Sequence, residues 1–258
     1  MWQLVREIRS NRELIWALAL KELRIRYKRS LLGFVWALLN PLLTMLILTL
    51  VFSSITRIAV PYYPVFLISA LLPWTFFSQA LSYSVESIIV NGELLKKVRV
   101  AKSVFPLAAL VANTINFFLS MLPLLLILVV LRFPIHLTWL YLPIPALGLM
   151  LFTCGCGFFF SAMNVFFRDV SHVVQIVLSG WFYLSPVLYS IDFLPPKYHL
   201  LFRFNPMLYL LNGFRMAIYY GQLPSLANMA ASLLVGIAVL VAGYLVFRRF
   251  EKVFVFYL

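Results

Sequence analysis

Residues 105–131 read FPLAALVANTINFFLSMLPLLLILVVL, and no Asp, Glu, Lys, Arg or His interrupts them. This stretch is longer than the roughly 20 apolar residues that carry a helix across about 30 Å of hydrocarbon. Further stretches without an ionisable side chain flank it on both sides: residues 34–55, 65–85, 137–160, 173–189 and 226–247. The sequence therefore predicts an all-α integral membrane protein with six transmembrane helices.

The composition supports a single membrane domain over residues 1–258. Hydrophobic residues make up 64% of the chain, whereas a soluble globular domain is nearer half. Ion pumps and proton-coupled carriers usually hold an ionisable residue at mid-membrane, because a charge or proton has to be bound there. None of the six stretches contains one. We therefore expect the energy for any transport to come from outside this chain.

Lys and Arg residues divide unevenly between the two sets of segments that flank the apolar stretches. Sixteen of the 21 lie before residue 34, in the link 86–103, at Arg168 or after residue 247. The others are Arg57, Arg132, Lys197, Arg203 and Arg215. The positive-inside rule then predicts that both termini are cytoplasmic. This distribution accounts for the net charge of +13 without a nucleic-acid partner.

The segment 1–33 is predicted to form an N-terminal amphipathic helix at the inner membrane interface. Ser10 and Glu13 have the spacing of a capping box. The expected apolar face comprises Trp16, Leu20, Leu23 and Tyr27. Such a helix lies in the headgroup plane with its basic side toward anionic lipid.

Two roles are open for this interfacial helix. It either serves only as an anchor that sets the topology, or its basic residues also bind a phosphorylated lipid substrate at the inner end of a transport path. The basic residues concerned are Arg24, Arg26, Lys28 and Arg29.

The link 86–103 reads ESIIVNGELLKKVRVAKS and combines charged residues with pairs of apolar ones. A passive connector between two helices could be shorter and more polar. The alternative is a small helix that docks a partner protein. The candidate docking residues are Glu86, Asn91, Leu94, Leu95, Lys96, Lys97 and Arg99.

The segment 190–225 contains prolines at 195, 196, 206 and 224, yet is too apolar for a solvated loop. It predicts short amphipathic helices at about 196–204 and 206–220, on the outer side of the membrane. After the fourth stretch, Asp169 is predicted to be the N-cap of the fifth span, where its carboxylate would meet free backbone N–H groups.

The sequence offers little chemistry for catalysis. No Gly-rich loop ending in Gly-Lys-Ser or Gly-Lys-Thr is present to hold ATP phosphates. Cys154 and Cys156 lie among Gly155 and other small residues, which favours close helix packing over metal binding. We expect no catalytic residue, no metal site and no cofactor in this chain.

Aromatic residues make up 17% of the chain. Most are expected in interfacial belts and helix packing. A minority could line a path in which ring faces contact the C–H faces of sugars, giving weak contacts that tolerate different residues. The candidates for this lining come from spans one and five: Phe34, Trp36, Trp181, Phe182 and Tyr183.

Four strings, in this order, resemble bacterial polysaccharide-export permeases of the ABC-transporter superfamily, in particular O-antigen permeases of the Wzm type. They are RIRYKRSLLGFVWALLNPLL (24–43), NGELLKKV (91–98), NVFFRDVSHVVQIVLSGWFYLSPVLY (164–189) and FNPMLYLLNGFR (204–215). Teichoic acid and capsule exporters are related. The chain departs from the pattern after Val98, where family members often have an aromatic residue followed by Phe-Pro.

The resemblance implies a homodimer of six-span subunits in the bacterial inner membrane. Each subunit would bind a separate nucleotide-binding subunit, which holds ATP and Mg, so that this chain is not itself an enzyme. The implied substrate is a polyprenyl-diphosphate-linked glycan moving outward. The sequence leaves two alternatives: an ATP-driven exporter of a small lipid or drug, and a membrane scaffold subunit that transports nothing.

Overall fold

The computed structural model describes residues 2–28, 32–54, 60–98, 100–191 and 195–258, apart from the side chains of residues 34, 53, 54 and 201. All regular structure in these residues is helical. Short 3₁₀ segments lie at Gly33–Val35, Leu137–Tyr141 and Glu251–Val253, and a π-helical turn at Met216–Tyr220. The α-helices are α1 (Trp2–Ser10), α2 (Arg12–Tyr27), α3 (Trp36–Ser54), α4 (Tyr63–Val90), α5 (Gly92–Lys97), α6 (Val104–Leu119), α7 (Met121–Val130), α8 (Pro143–Phe166), α9 (Val170–Tyr183), α10 (Pro196–Arg203), α11 (Pro206–Arg215), α12 (Leu226–Phe250) and α13 (Phe254–Tyr257).

Five of the six predicted apolar stretches each overlap one α-helix, and the third overlaps the consecutive helices α6 and α7. Four helical segments of the described chain have the length and composition to cross a membrane: Tyr63–Val90, Val104–Val130, Leu137–Phe166 and Leu226–Tyr257. The remaining two, α3 and α9, are apolar but shorter. The all-helical membrane architecture is therefore confirmed, and a six-span count depends on how α3 and α9 are placed in the bilayer.

Proline and serine residues set two boundaries that differ from the predicted ones. The fifth stretch was expected to run to residue 189, but α9 ends at Tyr183. Pro186 follows, and a proline lacks a backbone N–H and disfavours helical geometry in the residue before it. In the third stretch, Ser120 separates α6 from α7 and its hydroxyl donates to the carbonyl of Phe117 at 2.7 Å.

The N-terminal segment forms two helices instead of the predicted one. Ser10 is the last residue of α1, and Asn11 precedes α2 and donates through Nδ2 to the carbonyl of Glu7 at 2.9 Å. The proposed capping box was therefore wrong. The buried row of α2 is Ile15, Ala19 and Leu23, whereas Trp16 is 52% exposed. Helix α2 consequently rests on α6, where Ala19 and Leu23 pack against Ala112.

Glycines bring α8 and α12 into close contact. A Cβ on Gly155 would overlap the backbone of Val239, and one on Gly243 would overlap the carbonyl of Gly155. A Cβ on Gly236 would lie 2.6 Å from the carbonyl oxygen of Gly148. Small residues therefore let the two backbones touch, as expected for tightly packed membrane helices.

One end of the bundle, which we call the terminal end, gathers both chain termini. Leu4, Leu95 and Phe254 are buried there in one apolar cluster. The Glu7 carboxylate accepts a hydrogen bond from the Ser103 hydroxyl at 2.6 Å and pairs with Arg248 at 3.0 Å. These contacts tie α1 to the start of α6 and the end of α12.

The opposite end, which we call the distal end, carries α10, α11 and the π-helical turn. The two predicted short helices are observed there, with nearly the expected bounds. The Tyr63 hydroxyl, at the start of α4, donates to the carbonyl of Leu188 at 2.9 Å. The Tyr219 hydroxyl donates to the carbonyl of Pro61 at 2.7 Å. These bonds attach the segment between α9 and α12 to the distal end of α4.

Candidate functional site

Helix α4 is the most buried of the membrane-length helices, but one of its faces is open. We call this row of open side chains the α4 polar face. All of its members are polar, and they recur at the three- and four-residue spacing of one helix face. They are Thr75, Ser78, Gln79, Ser82, Tyr83 and Glu86.

A cavity of about 360 Å³ borders this face on the side of α3 and α6. Its walls come from α2, α3, α4 and α6, and most of its polar lining groups are uncharged. These are the side chains of Asn40, Thr44, Thr75, Gln79, Asn113, Asn116 and Ser120. Aromatic and aliphatic residues also line it: Tyr27, Trp36, Ala37, Pro41, Leu72, Phe76, Tyr83 and Phe117. The cavity therefore combines amide and hydroxyl groups with ring surfaces.

A second, more open cleft of about 530 Å³ borders the same face on the side of α9. Ser78 and Ser82 of α4 lie opposite Gln175 and Ser179 of α9 in this cleft. Gln79 lines both the cavity and the cleft. The α4 polar face thus lies between α3 on one side and α9 on the other.

Arg26 forms part of the cavity wall near the terminal end. Its Nη2 donates to Glu22 at 2.9 Å and its Nη1 to the Oδ1 of Asn113 at 3.1 Å. The guanidinium also stacks over the ring of Tyr83 at 4.0 Å. Burial raises the pKa of Glu22 above its ordinary value, and the nearby Arg26 opposes that shift. The positive charge of Arg26 is therefore balanced by its own helix.

The other basic residues predicted to bind lipid phosphate are placed differently. Arg24 and Lys28 are exposed and line, with Lys21, an open groove of about 680 Å³ on the outer side of α2. Arg29 lies outside the described residues. Arg26 thus faces the polar cavity, whereas Arg24 and Lys28 lie on the side of α2 that points away from the bundle.

The predicted docking residues also fall into separate environments. Leu95 is buried at 6% exposure in the terminal-end cluster, and Leu94 packs partly against the same cluster. Glu86 and Asn91 line a groove of about 340 Å³ between α2 and α4. Lys96 and Lys97 project from α5 and are exposed, whereas Arg99 lies outside the described residues. Leu95 therefore supports the fold of the link and is not accessible to a partner.

The predicted aromatic lining residues divide in the same way. Trp36 is 44% exposed on α3 and borders the polar cavity, and Tyr183 is 62% exposed at the end of α9. Trp181 and Phe182 are in contact with Trp74, at ring-centroid distances of 6.2 and 5.7 Å. Phe34 lies in the turn Gly33–Val35, and its side chain is not described.

An asparagine that the sequence did not single out joins α4, α8 and α9. The Asn164 Nδ2 donates to the carbonyl of Val85 at 3.0 Å, and its Oδ1 accepts from the backbone N–H of Ser171 at 3.1 Å. Asp169 occupies the N-cap position of α9, as predicted, but makes no side-chain capping bond. The capping role expected of Asp169 therefore falls to Asn164.

Arg215 connects two segments at the distal end of the bundle, and its guanidinium is almost fully buried. Its Nη2 donates to the carbonyl of Val187 at 2.9 Å, and the group stacks over the ring of Phe66 at 3.9 Å. Burial lowers the pKa of Arg215 to about 10. Because this value is still above neutral pH, the guanidinium remains protonated there. Arg215 thus holds the segment after α9 against α4.

The α4 polar face was not predicted from the sequence, although the signal was present. Ionisable residues are the usual sign of function inside an apolar stretch, and Thr75, Gln79 and Ser82 are uncharged. Their spacing within an otherwise apolar stretch predicts a continuous polar row on one helix face. Asn113 and Asn116 of α6 complete the cavity, but only the fold shows that they face this row.

Long apolar helices around a cleft of mostly uncharged polar side chains are consistent with a membrane permease. The chain belongs to the ABC-2 type transporter family, whose model matches residues 13–219. An O-antigen export system permease of Myxococcus xanthus, RfbA, is 35% identical over 260 aligned residues, covering 98% of each chain. A permease of the same name from Klebsiella pneumoniae is 32% identical over 232 residues, covering 90% of this chain and 89% of the relative.

A more distant relative is the polysialic acid transport protein KpsM of Escherichia coli. It is 26% identical over 239 residues, which cover 92% of this chain and 93% of KpsM. The resemblance to polysaccharide-export permeases that the sequence motifs predicted is therefore confirmed.

Proposed function

We propose that this chain is the membrane subunit of an ATP-driven exporter that moves a polyprenyl-diphosphate-linked polysaccharide, such as an O-antigen, outward across a bacterial inner membrane. The observation that carries the proposal is the match, over nearly the whole chain, to relatives named as O-antigen export permeases. The more distant relatives include proteins named for transport of polysialic acid and export of capsule polysaccharide. Like O-antigen, these substrates are polymers of sugars. A cavity whose polar lining groups are mostly uncharged suits such a substrate.

In this proposal two copies of the chain assemble, with α3 and α9 completing six spans in each. Both termini lie in the cytoplasm, so that the terminal end of the bundle is the inner end. The uneven distribution of Lys and Arg supports this orientation. A symmetric pair is the usual way in which a small subunit builds a passage wider than itself.

The energy comes from a separate ATPase subunit, which holds ATP and Mg, so the chain is not an enzyme. The link around α5 forms the docking surface, with Lys96 and Lys97 as its exposed basic contacts and Leu95 as internal support. Arg99 belongs to the same surface, and Glu86 and Asn91 border it. Closure of two ATPase subunits would move α5 and, through it, the terminal end of α4, because the two helices are consecutive.

The lipid diphosphate binds to basic residues at the inner interface. Arg24 and Lys28 are exposed on α2, where each basic residue near an anionic surface contributes on the order of 1 kcal/mol. Arg29 adds to this group. Arg26 does not belong to this diphosphate-binding group, because its charge is already paired with Glu22 and it faces the polar cavity.

The glycan passes along α3 and α9. Trp36 and Tyr183 have exposed rings. Trp181 and Phe182 are in contact with the ring of Trp74 on α4. Phe34, at the start of α3, belongs to the same lining. Many weak ring contacts suit a polymer that slides, whereas one deep binding site would hold it.

Co-expression with the cognate ATPase in a bacterium that makes the lipid-linked glycan but lacks its exporter tests this function. We expect glycan at the cell surface when both subunits are present. A partner that cannot hydrolyse ATP is the control and should leave the glycan inside. Glycan that stays inside with both active subunits, or that reaches the surface with this chain alone, would overturn the proposal.

A further inference from the structure

The open face of α4 differs in chemistry from the open faces of α3 and α7. On α3 and α7 the exposed side chains include Ile47, Leu50, Leu126 and Val129, which suit contact with lipid. On α4 the corresponding row is polar from Thr75 to Glu86. Polar side chains in a membrane helix face the bundle interior or a water-filled space, because hydrocarbon offers them no hydrogen bonds. The hydroxyls of Ser78 and Ser82 donate to carbonyls of their own helix. Gln79 and Glu86 make no side-chain hydrogen bond within the described residues, so the α4 polar face is not a lipid-facing surface.

The α4 polar face extends along about half of the length of the helix. Thr75 lies near the middle of α4, and Glu86 lies one turn before its terminal end at Val90. At 1.5 Å per residue the row is about 16 Å long, roughly half the thickness of the hydrocarbon layer. Beyond Thr75, toward the distal end, Leu71 and Leu72 are buried. The polar row therefore runs from near the terminal end of α4 to the middle of the helix and stops.

Glu86 lies at the terminal end of this row. The other polar groups along it are uncharged and suit an uncharged ligand rich in hydroxyl groups. A carboxamide both donates and accepts hydrogen bonds, as Asn40 and Gln79 can across the cavity. A phosphate would need net positive charge, because a buried anion without a partner is strongly disfavoured. Glu22 already balances Arg26, the basic residue in this wall. The exposed ring of Tyr83 adds a flat apolar surface, which matches the C–H face of a sugar.

Gln79 is the central residue of this surface. It lines both the cavity beside α3 and the cleft beside α9. Its carboxamide has no hydrogen-bond partner in the part of the chain that the structure describes, so its donors and acceptor are free for a ligand. The buried Nε of Arg26 is likewise unpartnered among the described atoms.

We propose that the α4 polar face, with Asn40 of α3 and Gln175 of α9 opposite it, binds the sugar hydroxyl groups of the exported glycan in the inner half of the path. This inference rests on the proposed function and extends it, because it assigns recognition of the sugar to α4 and separates it from recognition of the lipid diphosphate by Arg24 and Lys28. Gln79 is its specificity-determining residue.

The first test measures access of water and glycan to this face. In the complex with the ATPase subunit, with Cys154 and Cys156 replaced by Ala, single cysteines are introduced at Thr75, Gln79 and Ser82. A charged thiosulfonate reagent should modify these thiols, because it reacts with thiolates in water, and lipid-linked glycan should slow the modification. The matched control is Ile47→Cys, which is exposed on α3 but should remain unreactive.

The second test measures recognition. Gln79→Leu keeps the size of the side chain and removes its amide, so we expect export of glycan to fall about tenfold, the factor expected for one lost hydrogen bond. Binding of the ATPase subunit and assembly of two copies should persist. Gln79→Asn, which keeps the amide, should retain more export than the Leu variant. The same chemical change at Gln222→Leu, near the distal end, should leave export unchanged.

The outcomes separate this inference from the proposed function. If the unmodified complex exports no glycan, the proposed function is wrong. If it does export glycan, three results would each overturn the inference alone: unreactive thiols along the face, normal export by Gln79→Leu, or rapid disulfide formation between Gln79→Cys copies that glycan does not affect. The last result would assign the face to contact between two copies of the chain.

Discussion

The guanidinium of Arg215 donates to the backbone carbonyl of Val187 at 2.9 Å and thereby holds the segment after α9 on the distal end of the bundle. The same group stacks over the ring of Phe66. We expect Arg215→Met to lower the free energy of unfolding by about 1.5–3 kcal/mol, the usual value for a hydrogen bond to a charged group. Thermal unfolding of the purified protein measures this change.

Arg215→Lys should be intermediate, because an ammonium group cannot reproduce the planar contacts of a guanidinium. Arg203→Met is the matched control, since Arg203 is exposed on α10. Equal loss of stability in the Arg215→Met and Arg203→Met variants would contradict the tethering role of Arg215.

The contact between α8 and α12 leads to a second prediction. A Cβ on Gly243 would overlap the carbonyl of Gly155, so Gly243→Ala has to push the helices apart. Overpacking of this kind costs about 1–3 kcal/mol. Gly180→Ala on α9 is the control, because a Cβ there meets nothing within 4 Å. If chemical denaturation gave both variants the same stability, the close contact would not exist.

Asn164 gives a third prediction. Asn164→Leu leaves the backbone N–H of Ser171 without its partner, which costs about 1–3 kcal/mol. The Val85 carbonyl loses only a second hydrogen bond, because it keeps its helical bond within α4. Asp169→Ala should change the free energy of unfolding by less than about 0.5 kcal/mol, because its side chain makes no capping bond. A larger effect at Asp169 than at Asn164 would restore the original N-cap interpretation.

Glu22 predicts a dependence of stability on pH. Burial raises its pKa, so between the ordinary value and the raised one the folded state binds more protons than the unfolded state. The contribution of Glu22 to stability is then fully present below its pKa in the unfolded state. It is lost as the pH rises through the higher pKa of Glu22 in the folded state. Glu22→Gln should flatten this part of the curve of melting temperature against pH, whereas Glu13→Gln, on the exposed side of α2, should leave it in place. Parallel curves for the Glu22→Gln variant and the unmodified protein would argue against a buried carboxylate.

The docking surface gives a fifth prediction. Lys96→Glu with Lys97→Glu should weaken binding of the ATPase subunit, measured by co-purification, while the protein still folds, because both side chains are exposed. Leu95→Asp should instead reduce the amount of folded protein, since Leu95 is buried in the terminal-end cluster. Undiminished co-purification of the double Lys variant would place the docking surface elsewhere.

The apolar stretches predict most of the fold, because length and the absence of charge are sufficient to indicate membrane helices. The two short helices at 196–203 and 206–215 were also predictable, since prolines mark where each begins. The end of α9 at Tyr183 and the break before α2 were not. Both depend on local turns, and hydropathy does not record them.

The candidate site was less predictable. The sequence identified Arg26 and Trp36, which do line the polar cavity, but grouped Arg26 with Arg24 and Lys28. Which side of α2 faces the bundle depends on its packing against α6, and no pattern within α2 specifies that. Leu95 was expected on the surface because apolar pairs in a charged link resemble a docking motif, yet the terminal-end cluster buries it.

Transport by purified components is the decisive test of export by this chain and its ATPase partner. The chain and its ATPase partner are reconstituted together in proteoliposomes with lipid-linked glycan and ATP, and the glycan that becomes protected from an added glycosidase is measured. We expect protected glycan only with ATP and both subunits, and about tenfold less with Gln79→Leu. Hydrolysis of ATP without any protected glycan, under conditions in which the complex remains intact, would contradict this expectation.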